Sequence, residues 1–212
     1  MAASERRTLL VMAVVVEGGA LCVAVVLGYF FDQPFWETTR FSAGGIVLGL
    51  GCAVALTAVV LAMVKYPIRP LRQVRNDLAL VVTLFKDLSI PELIAISALA
   101  GVGEEALFRG VMQPAVAGVT GQAPAILVVA LVFGLLHAIS VSYVVFAGVI
   151  SVGLSLLYLW TENLAVPIIA HGAYDAFALI YATRSRIFVD ATPGRESTTM
   201  NPNPQRNGDF DD

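Results

Sequence analysis

Charged side chains are scarce in this sequence. Asp, Glu, Lys and Arg make up 14% of its 212 residues, whereas soluble domains carry roughly 25%. Hydrophobic residues make up 58%, and the mean hydropathy is +0.80. A globule of this length cannot hide so much apolar surface, so the composition excludes an ordinary soluble domain and favours a helical membrane protein. The apolar runs are continuous rather than alternating, which excludes the pattern of a transmembrane β-barrel.

Cysteine is equally rare, and the common motifs of hydrolases are missing. The 2 cysteines, Cys22 and Cys52, lie within apolar stretches and form no CxxC pattern, so we expect neither a disulfide nor a cysteine-bound metal. The sequence contains no HExxH zinc motif, no GxSxG nucleophile motif and no cysteine beside a histidine. Any hydrolysis would therefore have to use other side chains.

What the sequence does contain is a series of long apolar stretches, which predicts an all-α, polytopic transmembrane helical bundle. We expect about six spans, at residues 8–31, 41–64, 91–113, 123–139, 143–160 and 164–183. We expect turns at residues 32–37, at Pro114 with residues 118–124, at 140–142 and at 161–163. The first stretch is too long for the apolar part of a cleaved signal, so we interpret it as a retained span.

The link between the second and third spans, residues 65–86, is basic. Arg69, Arg72 and Arg75 alternate there with leucines and valines. This pattern favours an amphipathic helix that lies in the membrane interface. A solvated connector is the alternative interpretation.

The distribution of charge and polarity along the chain indicates its organisation. Residues 1–186 are predicted to form a single transmembrane domain, with a motif-bearing core at about 91–183, and residues 187–212 a disordered polar tail. Lys and Arg concentrate before the first span, after the second and after the sixth, whereas the other side has Arg40 and little else. The positive-inside rule then places both termini in the cytoplasm. We expect a multi-pass protein of a bacterial plasma membrane.

Ionisable residues occur inside three of the predicted spans. They are Glu104, Glu105 and Arg109 in the third span, His137 in the fourth, and His171 and Asp175 in the sixth. Such groups cost several kcal/mol at membrane depth unless they pair or line a wet cavity, so we expect them to share one polar site. A rise of ~1.5 Å per residue puts them all within the middle of a ~30 Å hydrocarbon slab. Glu17, in the first span, matches no pattern and is interpreted as structural.

Helical spacing pairs some of these residues. Glu105 and Arg109 are four residues apart, and so are His171 and Asp175, so each pair shares one face of its helix. Glu104 and Glu105 point about 100° apart, so we expect them to have different roles.

Such a site would support hydrolysis in two ways. A carboxylate and a neutral imidazole can hold and deprotonate a water, while a second imidazole donates to the developing oxyanion. Alternatively, Glu104, His137, His171 and Asp175 could bind a divalent metal such as Zn²⁺, which would activate the water. Chains of Glu, His and Asp also relay protons, so a proton-coupled transporter is an alternative. The absence of a clear internal repeat argues against that function.

Three short motifs resemble those of one family. Residues 104–109, Glu-Glu-Ala-Leu-Phe-Arg, resemble the EExxxR motif of the CPBP intramembrane proteases, which include the CAAX prenyl endopeptidases of the Rce1 type and the bacterial Abi proteins. Residues 133–137 resemble the FxxxH motif of that family. Residues 171–175 resemble its HxxxN motif, with Asp175 where Asn is common. The three motifs occur in the order found in the family.

The resemblance implies an intramembrane endopeptidase whose substrate is a membrane-associated protein or peptide in the lipid bilayer, with no nucleic-acid partner. In this family Glu104 would activate the water with help from His137. His171 with Asp175 would stabilise the oxyanion or share a metal. Arg109 would hold Glu105 or otherwise brace the site. The resemblance allows a Zn²⁺ cofactor or none, and it leaves a non-catalytic immunity or scaffold protein of the same fold as a further alternative.

Overall fold

The computed structural model describes residues 2–66 and 68–185 of the chain. Within these ranges the protein is all α and contains no strand, which confirms the predicted fold class. The predicted polar tail, residues 187–212, lies outside the described residues.

The helices follow the predicted order along the chain. They are α1 Ala3–Phe30, α2 Ala43–Lys65, α3 Arg72–Phe85, α4 Ile90–Glu105, α5 Gln113–Thr120, α6 Gln122–Leu136, α7 Val141–Thr161 and α8 Ala165–Arg184, with a π-helical segment, Ala106–Met112, between α4 and α5. The helices α1, α2, α7 and α8 are long and apolar enough to cross a membrane. The helix α6 is apolar but has only 15 residues. These features make the chain an integral membrane protein.

The third predicted span continues further than expected. A turn was predicted at Pro114, but this is wrong, because the chain stays helical from Ile90 to Thr120. Pro114 lies in the first turn of α5, directly after the π-helical segment, where its missing N–H is tolerated. The helix ends at Gly121, whose φ of 85° favours glycine. Pro124, which was predicted to lie in the connection between two spans, instead lies in the first helical turn of α6.

The fourth predicted span ends earlier than expected. Its helix, α6, ends at Leu136, so His137 is not helical and the prediction of a span to residue 139 is wrong. The cause is local. The ring Nδ1 of His137 lies 2.8 Å from the carbonyl oxygen of Phe133, the group that would accept the backbone N–H of His137 in a continuing helix.

Two sets of contacts define the ends of the bundle. At one end, Arg6 of α1 forms an ion pair with Glu92 of α4 at 2.6 Å. At this end, too, Arg184 of α8 donates to backbone carbonyls of the α3–α4 loop. At the other end, the backbone N–H of Arg40 donates to Asn163, which donates back to the carbonyl of Arg40 at 2.8 Å. The starts of α1 and α4 and the end of α8 therefore meet at a basic end of the bundle.

The predicted amphipathic segment is the helix α3, which packs against α7 and α8 at the basic end. Its inner face buries Val74 and Asp77, while Arg72 is exposed. Asp77 accepts a hydrogen bond of 2.5 Å from the hydroxyl of Ser140, and Ser140 also caps the start of α7. The helix α3 is therefore tied to the link between α6 and α7.

Glycines allow α1, α4 and α8 to approach one another closely. A Cβ atom added to Gly101 of α4 would lie 2.8 Å from the backbone nitrogen of Gly172 in α8. A Cβ atom added to Gly103 would overlap the backbone carbonyl of Glu17 in α1. The residues that flank these glycines in α4 therefore face α1 and α8 at short range.

Candidate active site

A cavity of about 440 Å³ lies within the bundle, and most of the ionisable groups predicted from the sequence line it. We call these groups the cavity cluster: Glu17, Glu104, His137, His171 and Asp175. They come from α1, α4, the residue after α6, and α8. Most of the remaining wall is apolar and includes Leu78, Val82 and Phe85 of α3. The structure thus combines a polar cluster with an apolar chamber.

Glu105 and Arg109 do not face the cavity but lie beneath it, and both side chains are fully buried. Arg109 Nη1 donates to Glu105 Oε1 at 2.8 Å. Arg109 Nη2 donates to the carbonyl and the hydroxyl of Ser151 in α7, at 2.8 and 2.7 Å. We call Glu105, Arg109 and Ser151 the buried network. The role of Ser151 was not predicted from the sequence, because its contact with Arg109 joins two different helices and has no local sequence pattern.

His171 connects the buried network to the cavity. Its Nδ1 lies 2.8 Å from Glu105 Oε1, so the protonated Nδ1 donates to the same oxygen that accepts from Arg109. Its Nε2 faces the cavity, 3.4 Å from Asp175 Oδ2 and 4.0 Å from Glu104 Oε2. The sequence pattern paired His171 with Asp175, but the shorter contact is with Glu105 on another helix.

His137 presents one free ring nitrogen to the cavity. Its Nδ1 must carry the proton, because it lies 2.8 Å from the carbonyl oxygen of Phe133, which can only accept. The ring also stacks on Phe133, with a centroid separation of 4.4 Å. The lone pair of Nε2 then faces Glu104 Oε1 at 3.7 Å. This distance is too long for a direct hydrogen bond but suits a bridging water.

Glu17, which was interpreted from the sequence as structural, lies on the cavity wall. It shares that wall with Glu104, and a Cβ atom added to Gly103, the residue before Glu104, would overlap the backbone carbonyl of Glu17. The available signal in the sequence was the presence of one carboxylate in the interior of an otherwise apolar span. That signal could not show which side of α1 faces the other helices.

The predicted zinc ligands share the cavity but do not form a metal centre. Within residues 2–66 and 68–185, no three His, Cys, Asp or Glu side chains are arranged to hold one metal ion. The four predicted ligands are Glu104, His137, His171 and Asp175. Their donor atoms lie 3.4 to 4.0 Å from one another along the chain of contacts Asp175–His171–Glu104–His137.

Comparison with known proteins identifies the segment that carries these residues. Residues 86–177 match the family model described as type II CAAX prenyl endopeptidase Rce1-like. This part of the chain is Rce1-like. The match confirms the resemblance seen in the three motifs and supports, at the level of the family, an intramembrane endopeptidase of the CAAX protease type.

One curated relative carries no assigned activity in its name. Over 96 residues the chain is 36% identical to the uncharacterized protein YpbD of Bacillus subtilis (strain 168), which is 44% of this chain and 47% of that protein. The chain therefore spans about half the length of this relative. No solved structure matches the chain.

The Rce1-like segment contains the ionisable groups from Glu104 to Asp175 but not Glu17, which is separated from it by the rest of α1 and by all of α2 and α3. The cavity cluster therefore combines four residues inside the family match with one outside it. The helix α1 completes the wall of a site whose other polar groups lie in the matched segment.

Proposed function

We propose that this protein is an intramembrane endopeptidase that hydrolyses a peptide bond in the cavity between α1, α4 and α8. The observation that carries this proposal is the pair of acceptors formed by Glu104 Oε1 and His137 Nε2, 3.7 Å apart on the cavity wall. A water that bridges them is oriented by His137 and can lose a proton to Glu104. The Rce1-like match of the same segment supports this chemistry.

The other groups are placed to assist the attack. As the water oxygen bonds to the peptide carbonyl carbon, the carbonyl oxygen becomes an oxyanion and the water proton passes to Glu104. The imidazolium of His171 donates from Nε2 to the oxyanion, while Glu105 accepts from Nδ1 and holds the ring. Glu104 then gives its proton to the amine nitrogen as the C–N bond breaks. Asp175, 3.4 Å from Nε2, keeps that nitrogen directed into the cavity.

We propose a prenylated protein or peptide with a CAAX-type end as the substrate class. The family description supplies this class. The apolar walls of the cavity support it, because a hydrocarbon chain needs such a surface and a soluble peptide does not. Val81 and Phe85 of α3 and Leu136 at the end of α6 are among these wall residues.

A cleavage assay tests the proposal. The full chain in proteoliposomes would be given a quenched fluorescent peptide that carries a farnesyl group and a CAAX end, and the same peptide without the lipid. We expect cleavage of the lipidated peptide, and a fall in kcat of at least ~10²-fold in Glu104→Ala, since general-base catalysis contributes that much. Glu5→Gln, an exposed glutamate of α1, is the control and should cleave like the wild type. A folded Glu104→Ala protein that cleaves at the wild-type rate would refute the mechanism.

We also propose that the basic end of the bundle faces the cytoplasm of a bacterial cell, with both termini on that side. The contacts of Arg6 and Arg184 at the same end support this orientation. Ser4→Cys and Glu37→Cys, each made without the native cysteines, would be treated with a membrane-impermeant maleimide in intact cells whose outer layers are permeable to it. We expect labelling of Glu37→Cys alone, and labelling of Ser4→Cys alone would reverse the orientation.

A further inference from the structure

The helix α1 contributes one ionisable side chain to the interior of the bundle. Most of α1 is exposed on the outside, and its buried residues are Ala24 and Gly28. Glu17 is the exception among its polar residues, because it is half-buried and lines the cavity. A carboxyl group in a membrane span is costly unless it has a partner or lines a wet cavity. Its position therefore calls for a specific partner.

The packing of α1 on α4 places Glu17 beside Glu104. A Cβ atom at Gly103 would overlap the backbone carbonyl of Glu17, so the two backbones touch one residue before Glu104. Only glycine leaves room for this approach. The crossing point of the two helices thus coincides with the proposed general base.

The hydrogen bonds of the two carboxyl groups are incomplete in the same way. Glu17 Oε2 and Glu104 Oε2 are each buried without a hydrogen-bond partner. Both carboxyl groups line the same cavity, and the backbones of their two helices touch at Gly103. An ionised carboxylate can only accept hydrogen bonds, so two ionised carboxylates cannot bond to each other. If one of the two carboxyl groups keeps its proton, it donates to the other, and both groups then have a hydrogen-bond partner. His171 and Asp175 of α8 are the ionisable groups that line the same cavity from the opposite helix.

We propose that Glu17 is a positioning residue of the hydrolytic site and holds Glu104 through a carboxyl–carboxyl hydrogen bond. The protonated Glu17 donates to Glu104, and this contact leaves Glu104 Oε1 directed at the water beside His137. The role rests on the proposed function, because it describes how the general base of that reaction is held. It adds a residue that lies outside the family-matched segment.

Kinetics of two substitutions test this role. Glu17→Leu removes the hydrogen bond, and we expect kcat to fall about 10-fold with KM changed less than about 2-fold, because the base is displaced but the substrate chamber is kept. Glu17→Gln keeps an N–H donor, and we expect kcat within about 3-fold of the wild type. Glu5→Gln makes the same chemical change on the same helix at an exposed position and should have no effect. Equal kcat in Glu17→Leu and wild type would overturn the proposal.

Infrared spectroscopy tests the contact without any substrate. A protonated carboxyl group has a carbonyl stretching band that shifts in D₂O. We expect this band in the wild type and in Glu5→Gln, and its loss in Glu17→Gln. A band of unchanged intensity in Glu17→Gln would overturn the proposal, because the proton would then lie on another group.

The two experiments separate this proposal from the proposed function. If Glu104→Ala abolishes cleavage while Glu17→Leu does not change it, the function stands and the role of Glu17 is refuted. If the wild type cleaves neither peptide, the proposed function fails, and the infrared band alone decides whether Glu17 and Glu104 share a proton.

Discussion

The buried network and the cavity cluster lie side by side but differ in how their polar groups are bonded. Around Glu105, the distances to Arg109 and His171 are both 2.8 Å. Around Glu104, the distances to His137 and His171 are 3.7 and 4.0 Å. Glu105 is fully buried, whereas the side chain of Glu104 is 12% exposed. Neighbouring residues on one helix thus have opposite surroundings, since the contacts of Glu105 are closed and those of Glu104 leave room for a water.

The largest expected effect comes from opening the buried network. Arg109→Ala would remove the guanidinium that donates to the buried Glu105 and to Ser151, and we expect a loss of about 3–5 kcal/mol in unfolding free energy. Arg72→Ala changes an exposed arginine of α3 and should stay within about 0.5 kcal/mol of the wild type. Chemical unfolding in detergent would measure both. Lost cleavage with unchanged stability in Arg109→Ala would mean that Arg109 acts in the chemistry rather than in the scaffold.

A paired substitution of the two glutamates sharpens the comparison directly. Glu105→Gln replaces the acceptor of Arg109 and His171 by a neutral amide, so we expect a loss of about 2–4 kcal/mol in stability. Glu104→Gln removes no short hydrogen bond to a cation, so we expect stability within about 1 kcal/mol of the wild type, with cleavage lost. Equal destabilisation by the two changes would show that the cavity cluster is as closed as the buried network.

The smallest expected effect concerns the packing of α1 on α4. Gly103→Ala would force the two helices apart, with an expected cost of about 1–3 kcal/mol and a fall in cleavage as Glu17 leaves Glu104. Gly153→Ala in α7 is the control, because a Cβ atom there meets nothing within 4 Å, and it should be neutral or stabilising. Thermal unfolding of both variants would measure the difference. Equal stability would mean that α1 does not need its close approach to α4.

Local patterns predicted much of the fold and the site. The continuous apolar stretches gave rise to the all-α prediction, and the three motifs identified the Rce1-like segment. The pairing of Glu105 with Arg109 was predicted because both lie on one helix, four residues apart. These features depend on residues close together along the chain.

Contacts between helices were not predictable in this way. Glu105 and His171 are 66 residues apart, and only the packing of α4 on α8 through Gly101 and Gly172 brings them together. The position of Glu17 depends likewise on the face that α1 turns towards α4. Single apolar spans with little variation in hydrophobicity around the helix do not reveal that face.

His137 differs from the rest of the site because its backbone lies just beyond the end of a helix. Three peptide units join it to Ser140, whose hydroxyl is bonded to Asp77 on the helix α3 at the basic end of the bundle. The imidazole that faces Glu104 is thus carried by a short link, residues 137–140, whose far end is bonded to α3. A change in how α3 packs would therefore move His137 relative to Glu104 without any substitution in the cavity.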